Sequence, residues 1–124
     1  MVFFELFANN PDIVHVPAGQ PLFSAGEEGH RMFVLTTGTA EVIVNNRVLE
    51  QLQHGSIVGE MGIVSPGPRS ATVVATSACE FVAIDEKRFL YLVQQTPFFA
   101  TQVMRVLAER LRAANQLVAA IEDI

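Results

Sequence analysis

Over the first two thirds of the chain, apolar residues fall in short runs separated by turn formers. The runs are IVHV (13–16), PLFSA (21–25), RMFVLTT (31–37), TAEVIV (39–44), RVLEQL (47–52), SATVVAT (70–76) and ACEFVAI (78–84), divided by Ala18-Gly19, Gly26 to Gly29, Gly38 and Asn45-Asn46. Their β-branched and aromatic content predicts strands, and the Gly and Asn positions supply the turns between them. About eight short strands so spaced predict a mainly β fold with flanking α, an eight-stranded double-sheet jelly roll over about residues 12–84, rather than a βαβ arrangement.

Helical patterning flanks this region. A short opening helix is expected over about residues 2–8, ended by Asn9-Asn10-Pro11. Beyond Asp85, a good N-cap, Phe89, Leu90, Leu92 and Val93 recur with helical spacing and predict a helix over about 86–95. Thr96 at an N-cap and Pro97 at the first helical position then start a longer helix over about 97–121, with no Gly or Pro inside.

Along that helix Met104, Leu107, Leu111, Ala114, Val118 and Ile121 recur at intervals of 3, 4, 3, 4 and 3, the seam of a two-stranded coiled coil, which predicts a parallel homodimer. A helix packed on its own sheet would also carry an apolar face, and Phe98, Phe99, Val103 and Val106 are expected to supply it near the helix start. The last turn carries Glu122 and Asp123, the wrong sign for a helix C-terminus, with no Gly cap, so the helix is expected to continue in a longer parent.

Composition narrows the function. Half of the 124 residues are apolar, enough for one cored domain spanning 1–124. The net charge of −5 and the lack of a dense Lys/Arg patch argue against direct nucleic-acid binding by this chain. No apolar run approaches a membrane span, and MVFFELFANN is interrupted by Glu5 and lacks a basic flank, so the default expectation is a cytoplasmic protein. Cys79 is the one cysteine, which excludes an internal disulfide and reads as a core residue rather than a redox sensor. His15, His30 and His54 are scattered, so no metal, cofactor or catalytic residue is expected, and a cupin-type metalloenzyme lacks its histidines.

Candidate chemistry concentrates in GEMGIVSPGPRSATV, residues 59–73. The carboxylate of Glu60 can accept a bond from a sugar hydroxyl, and the planar guanidinium of Arg69 can grip two oxygens of a phosphodiester. Gly59 and Gly62 leave backbone N–H groups uncrowded at the mouth of a short helical turn. Pro66-Gly67-Pro68 is expected to be a stiff loop end holding Arg69 in place. Between Met32 and Glu86 the cations are Arg47 and Arg69 alone, and a charge set among apolar residues needs a partner. From spacing, that partner is either an anionic ligand or Glu60 itself, as a structural ion pair closing the loop.

This stretch resembles the phosphate-binding cassette of the cyclic nucleotide-binding domain family, and within it the sensor domains of the bacterial catabolite activator family. The matching parts are Gly59-Glu60, a short helix at Met61 to Val64, a loop at Ser65 to Pro68, and Arg69-Ser70-Ala71 entering a strand. FVLTTGTAEVIV (33–44) is similar to the family's glycine-turned hairpin and LQHGSIVGE (52–60) to its approach to the cassette. The resemblance implies that Glu60 takes the ribose 2′-hydroxyl, that Arg69 pairs with the cyclic phosphate, and that amides near Gly59, Glu60, Ser70 and Ala71 complete the cradle. The ligand-binding set it suggests is Ile57, Gly59, Glu60, Met61, Arg69, Ser70, Ala71 and Val73, with Arg110 near the phosphate end and Asn115 near the base. Where the family's activator has a pair of hydroxyl residues reaching the purine, this chain has Ala114-Asn115; Ala114 cannot bond a base, whereas the Asn115 amide offers a donor and an acceptor.

The resemblance and the composition together imply a non-enzymatic sensor, with cyclic AMP favoured over cyclic GMP, that transmits binding through movement of its last helix as the N-terminal part of a transcription regulator. A degenerate family member serving as a dimerisation module, or sensing another ligand, is the alternative.

Overall fold

Residues 12–122 are described in a computed structural model of the chain. In order, they form β1 (Ile13–Val16), β2 (Pro21–Phe23), β3 (Glu28–Gly29), β4 (Met32–Thr37), β5 (Ala40–Val44), β6 (Arg47–Leu52), β7 (Ile57–Val58), α1 (Met61–Val64), β8 (Gly67–Pro68), β9 (Thr72–Ala75), β10 (Cys79–Ile84), α2 (Glu86–Gln95) and α3 (Phe98–Glu122). Two four-stranded sheets, β1-β10-β4-β7 and β2-β9-β5-β6, hold eight strands and make the jelly roll that the strand spacing predicts. A two-stranded ribbon, β3-β8, stands apart from them. The opening helix expected over 2–8 lies outside the described residues.

Local sequence accounts for the turns. Asn45 and Asn46 sit at φ +52 and +63, between Val44 and its partner Arg47, where a two-residue hairpin needs both residues left-handed. Asp85 caps α2, its side chain accepting the Arg88 N–H at 2.8 Å. Thr96 joins the last two helices, its N–H closing α2 on the Leu92 carbonyl at 2.8 Å and its own carbonyl receiving the Phe99 N–H at 2.9 Å.

The core has two parts, which explains why β4 and β10 read as continuous apolar runs. Phe33, Leu35, Phe81 and Ala83 point between the sheets, with Phe23, Leu52, Val58 and Val73 among their neighbours. Their alternates Met32, Val34, Val82 and Ile84 point the other way, against Leu92, Phe99 and Val103 of the two long helices. Strands buried on both faces lose the polar half of the period-two pattern. Cys79 belongs to the inter-sheet core, its Sγ donating to the Thr39 and Ser77 carbonyls at 3.1 and 3.3 Å, and burial pushes its thiol pKa up.

Three expectations are corrected. Pro66-Gly67-Pro68 is not a loop end: Gly67 and Pro68 pair with Gly29 and Glu28, so the Gly26 to Gly29 divider carries a strand. Phe98 does not face the barrel but is 52% exposed, whereas Phe99, one step round the helix, is fully buried. Leu90 on α2 is likewise exposed, leaving Leu92 buried and Phe89 and Val93 partly so.

The contrast between the adjacent phenylalanines is testable. Truncating Phe99 to Ala removes a ring from the contact between α3 and the sheet and is expected to cost about 3–5 kcal/mol in urea unfolding, against under about 1 kcal/mol for Phe98→Ala. Equal losses would contradict the observed packing.

Candidate functional site

Between β7 and α1, the backbone turns through Gly59 at φ +74, a left-handed conformation that favours glycine. Glu60 follows in helical conformation and makes no side-chain capping bond, so its carboxylate is available to turn inward. It is 4% exposed, the single buried charged residue among those described. Oε1 accepts Arg110 Nη1 at 2.7 Å, while Oε2 is buried with no hydrogen-bond partner.

Arg110 reaches this carboxylate from α3 and is held on its other edge. Nε and Nη2 donate to Oε1 and Oε2 of Glu50 on β6, both at 3.0 Å, and Nη2 also donates to the Ile57 carbonyl at 2.6 Å. Burial alone would lower the Arg110 pKa, but the bonds to Glu50 and the charge and bond of Glu60 outweigh it and raise it.

Arg69 enters from the other side, where β8 hands over to β9. Its backbone is pinned to the β3 turn, donating to the Glu27 carbonyl at 2.7 Å and accepting from the Gly26 N–H at 2.8 Å. The side chain lies over the Phe23 ring at 4.3 Å, and Nη2 donates to the Arg31 carbonyl at 2.9 Å. Nη1 makes a long bond of 3.4 Å to the Gly59 carbonyl, and Nε is buried without a partner. Three glycines make room for it: a Cβ at Gly29 would run into Nε, and one at Gly59 or Gly62 would lie 2.9 Å from Nη1. Desolvation, and then the nearby Arg31 charge, lower the Arg69 pKa, with Glu27 and Glu60 pulling the other way. No ion pair joins Arg69 to Glu60; the carboxylate is taken by Arg110 instead.

These groups face one cavity of about 310 Å³. Gly59, Glu60, Met61, Arg69, Ser70, Ala71, Val73 and Arg110, all singled out in the sequence, line it. Ile57 does not; it is buried in the helix-side core and contributes only the carbonyl that holds Arg110. Asn115 is also outside the lining and exposed, because Ala113, Ala114 and Leu117 are the residues α3 turns toward the cavity and each helical step rotates roughly 100°. Arg110 lines the cavity as the partner of Glu50 and Glu60.

Sequence reasoning missed the apolar wall of Phe23, Val42, Val44, Leu49 and Leu117, and above all Glu50. A signal for Glu50 existed: it is in period-two phase with buried Leu52 and sits opposite Val42, which also lines the cavity. Elsewhere, His15 lies 3.5 Å from Glu80, and His54 Nδ1 is 2.9 Å from the Thr36 carbonyl. Among the described residues no cluster of His, Cys, Asp and Glu could hold a metal ion, and no helix is long and apolar enough to cross a membrane.

The seam positions of α3 divide. Met104, Leu111, Val118 and Ile121 are exposed, Leu111 at 62%. Leu107 is partly buried on the helix-side core, and Ala114 lines the cavity.

Chemically, the residues lining the cavity bring together a buried carboxylate with one unpartnered oxygen, a guanidinium bonded only to carbonyls, and an apolar wall that suits a planar ring. Known proteins carry the same arrangement of chain. The Cyclic AMP receptor protein of Thermus thermophilus is 31% identical over 104 residues, 80% of this chain and 48% of that protein. The cAMP-activated global transcriptional regulator CRP of Salmonella typhimurium is 28% identical over 120 residues, 92% of this chain and 57% of that protein. The chain thus spans about half the length of these relatives. Among solved structures, the catabolite activator protein of Thermus thermophilus superposes with a TM-score of 0.79 at 26% identity, covering 94% of this chain and 62% of the other. The family profile described as the cyclic nucleotide-binding domain matches residues 13–96, strands, cassette and α2 included, and on that match the chain belongs to the cyclic nucleotide-binding domain family.

Proposed function

We propose that this chain is a sensor for a 3′,5′-cyclic nucleotide, which holds its ligand between the cassette and α3 and reports binding by shifting that helix. The observation that carries this is a pair of residues lining one cavity: Glu60, whose Oε2 is buried and unpartnered, and Arg69, whose guanidinium is hydrogen-bonded only to carbonyl oxygens. A cyclic phosphodiester bears one negative charge and leaves only the 2′-hydroxyl of its ribose free. That hydroxyl can donate to Oε2 while the phosphate neutralises Arg69, and each group then meets the kind of partner it lacks. Ser70 and Ala71 line the same end, and the base is left to the apolar wall of Val42, Val44, Leu49 and Leu117.

We favour cyclic AMP over cyclic GMP, since the Thermus and Salmonella relatives are both named for cyclic AMP. Ala114 lines the cavity but has no group to bond a base, so discrimination between purines falls to other residues or to a partner chain.

Transmission rests on α3 having two faces. Arg110, Ala113, Ala114 and Leu117 line the cavity. Met104, Leu107, Leu111, Ala114, Val118 and Ile121 form the stripe proposed to pair with a second copy. A ligand with unequal affinity for two helix positions shifts their populations, and a shared helix carries the shift to the partner. The chain serves as the N-terminal regulatory part of a longer cytoplasmic regulator of transcription, contacting no nucleic acid itself and catalysing nothing.

Calorimetric titration tests the ligand. Saturable binding of a cyclic purine nucleotide and rejection of linear 5′-AMP are expected, with Arg69→Ala losing about 2–5 kcal/mol of binding. Equal binding of 5′-AMP, or none of any cyclic nucleotide at millimolar concentration, sinks the proposal. Sedimentation tests the seam: Leu111→Asp is expected to convert a dimer to monomer without loss of the folded state, and a wild-type chain that sediments as a monomer at high concentration removes the dimeric step.

A further inference from the structure

Arg110 touches two carboxylates, and how it divides its donors between them decides what remains for a ligand. A guanidinium has five N–H groups. Four are used here: Nε and one on Nη2 form a fork on Glu50, the other on Nη2 meets the Ile57 carbonyl, and one on Nη1 meets Glu60 Oε1. The paired, two-bond geometry that a guanidinium and a carboxylate favour therefore goes to Glu50, and Glu60 receives a single bond. Glu60 Oε2 is left unpartnered, although its neighbour Oε1 lies 2.7 Å from a nitrogen that still has one N–H to give.

We propose that Glu50 is a positioning residue for the nucleotide site: by occupying the fork of Arg110, it keeps Glu60 Oε2 free to accept the ligand's sugar hydroxyl. This rests on the cyclic-nucleotide reading and adds to it a residue that never touches the hydroxyl. Without the Glu50 carboxylate, the Nε and Nη2 edge of Arg110 is left as a half-buried charge short of a counter-ion. Glu60 is the remaining carboxylate it touches, and re-pairing as a fork would take both Glu60 oxygens. The hydroxyl of the ligand would then compete with the protein's own arginine. Glu50 side-chain exposure is 39%, so replacement by Gln keeps shape and fold while removing the charge.

Two measurements on Glu50→Gln decide the matter. Calorimetry with cyclic AMP and 2′-deoxy cyclic AMP reads the hydroxyl directly. Wild-type protein is expected to prefer the ribose form, and Glu50→Gln to shrink that preference by about tenfold, the size of one hydrogen bond to a charged group. A general loosening of the site would weaken both ligands by the same factor and leave the ratio unchanged, which overturns the proposal. The crystal structure of ligand-free Glu50→Gln is expected to show both Glu60 oxygens bonded to Arg110. Oε2 still unpartnered there overturns it too, whatever the titration shows. Should wild-type protein bind neither nucleotide, the sensor reading fails, while the ligand-free structures of wild type and variant still decide whether Glu50 holds Oε2 open.

Discussion

A carboxylate that is 4% exposed is tolerable only if something charged stands beside it, and for Glu60 that is Arg110 at 2.7 Å. The contact ties three parts of the molecule together. Glu60 opens the cassette helix, Glu50 belongs to the sheet that forms the far wall, and Arg110 sits mid-way along α3. Remove the guanidinium and the buried Glu60 carboxylate loses its counter-charge while the long helix loses its charged anchor. Phe99 and Val103 fix where that helix begins; Arg110 fixes where it crosses the site.

Arg69 is the opposite case. It stacks on aromatic rings and bonds only to carbonyl oxygens; burial together with Arg31 works against its charged form, while the Glu27 and Glu60 charges favour it. The glycines at 29, 59 and 62 admit the guanidinium by having no side chain, so its position is set by what is absent from three strand and helix ends that meet there. A cation held this way is prearranged for an anion and has little reorganisation to undergo when one binds. The two arginines therefore differ in their pairing: Arg110 is neutralised by carboxylates of the protein and holds the helix, and Arg69, on the proposed reading, is left for a ligand.

Much of this was legible from the residues. The turn formers at 38 and 45–46 and the β-branched runs between them contain the two sheets, and Gly59-Glu60 with Arg69 marks the cassette. What escaped was long-range. β7, β3 and β8 are two residues each, too short for any periodic signal, and exist because partners distant in sequence pair with them. Glu50 lies 60 residues from Arg110, and no local pattern links a carboxylate on a hairpin to a cation on a helix at that separation. Asn115 shows the reverse error. The family resemblance implies a place for it near the base, but helical rotation turns Ala113, Ala114 and Leu117 toward the cavity.

Ala114 belongs to two patterns at once. Its place in the 3-4 spacing puts it on the apolar stripe with Leu111 and Val118, and its position in the fold puts it on the cavity wall. A residue as small as alanine lets another helix approach closely and lets a ring lie flat against the backbone, and it can do neither job through hydrogen bonds. If the two faces meet at this residue, the surface that closes over a ligand's base and the surface that pairs with a second chain are separated by a single methyl group. A change in helix position of the size that a bound ring requires cannot then be hidden from the partner, since the packing at the seam is as intolerant of displacement as any core. On the proposed reading, coupling between ligand and partner would follow from that proximity, with no intervening relay of residues.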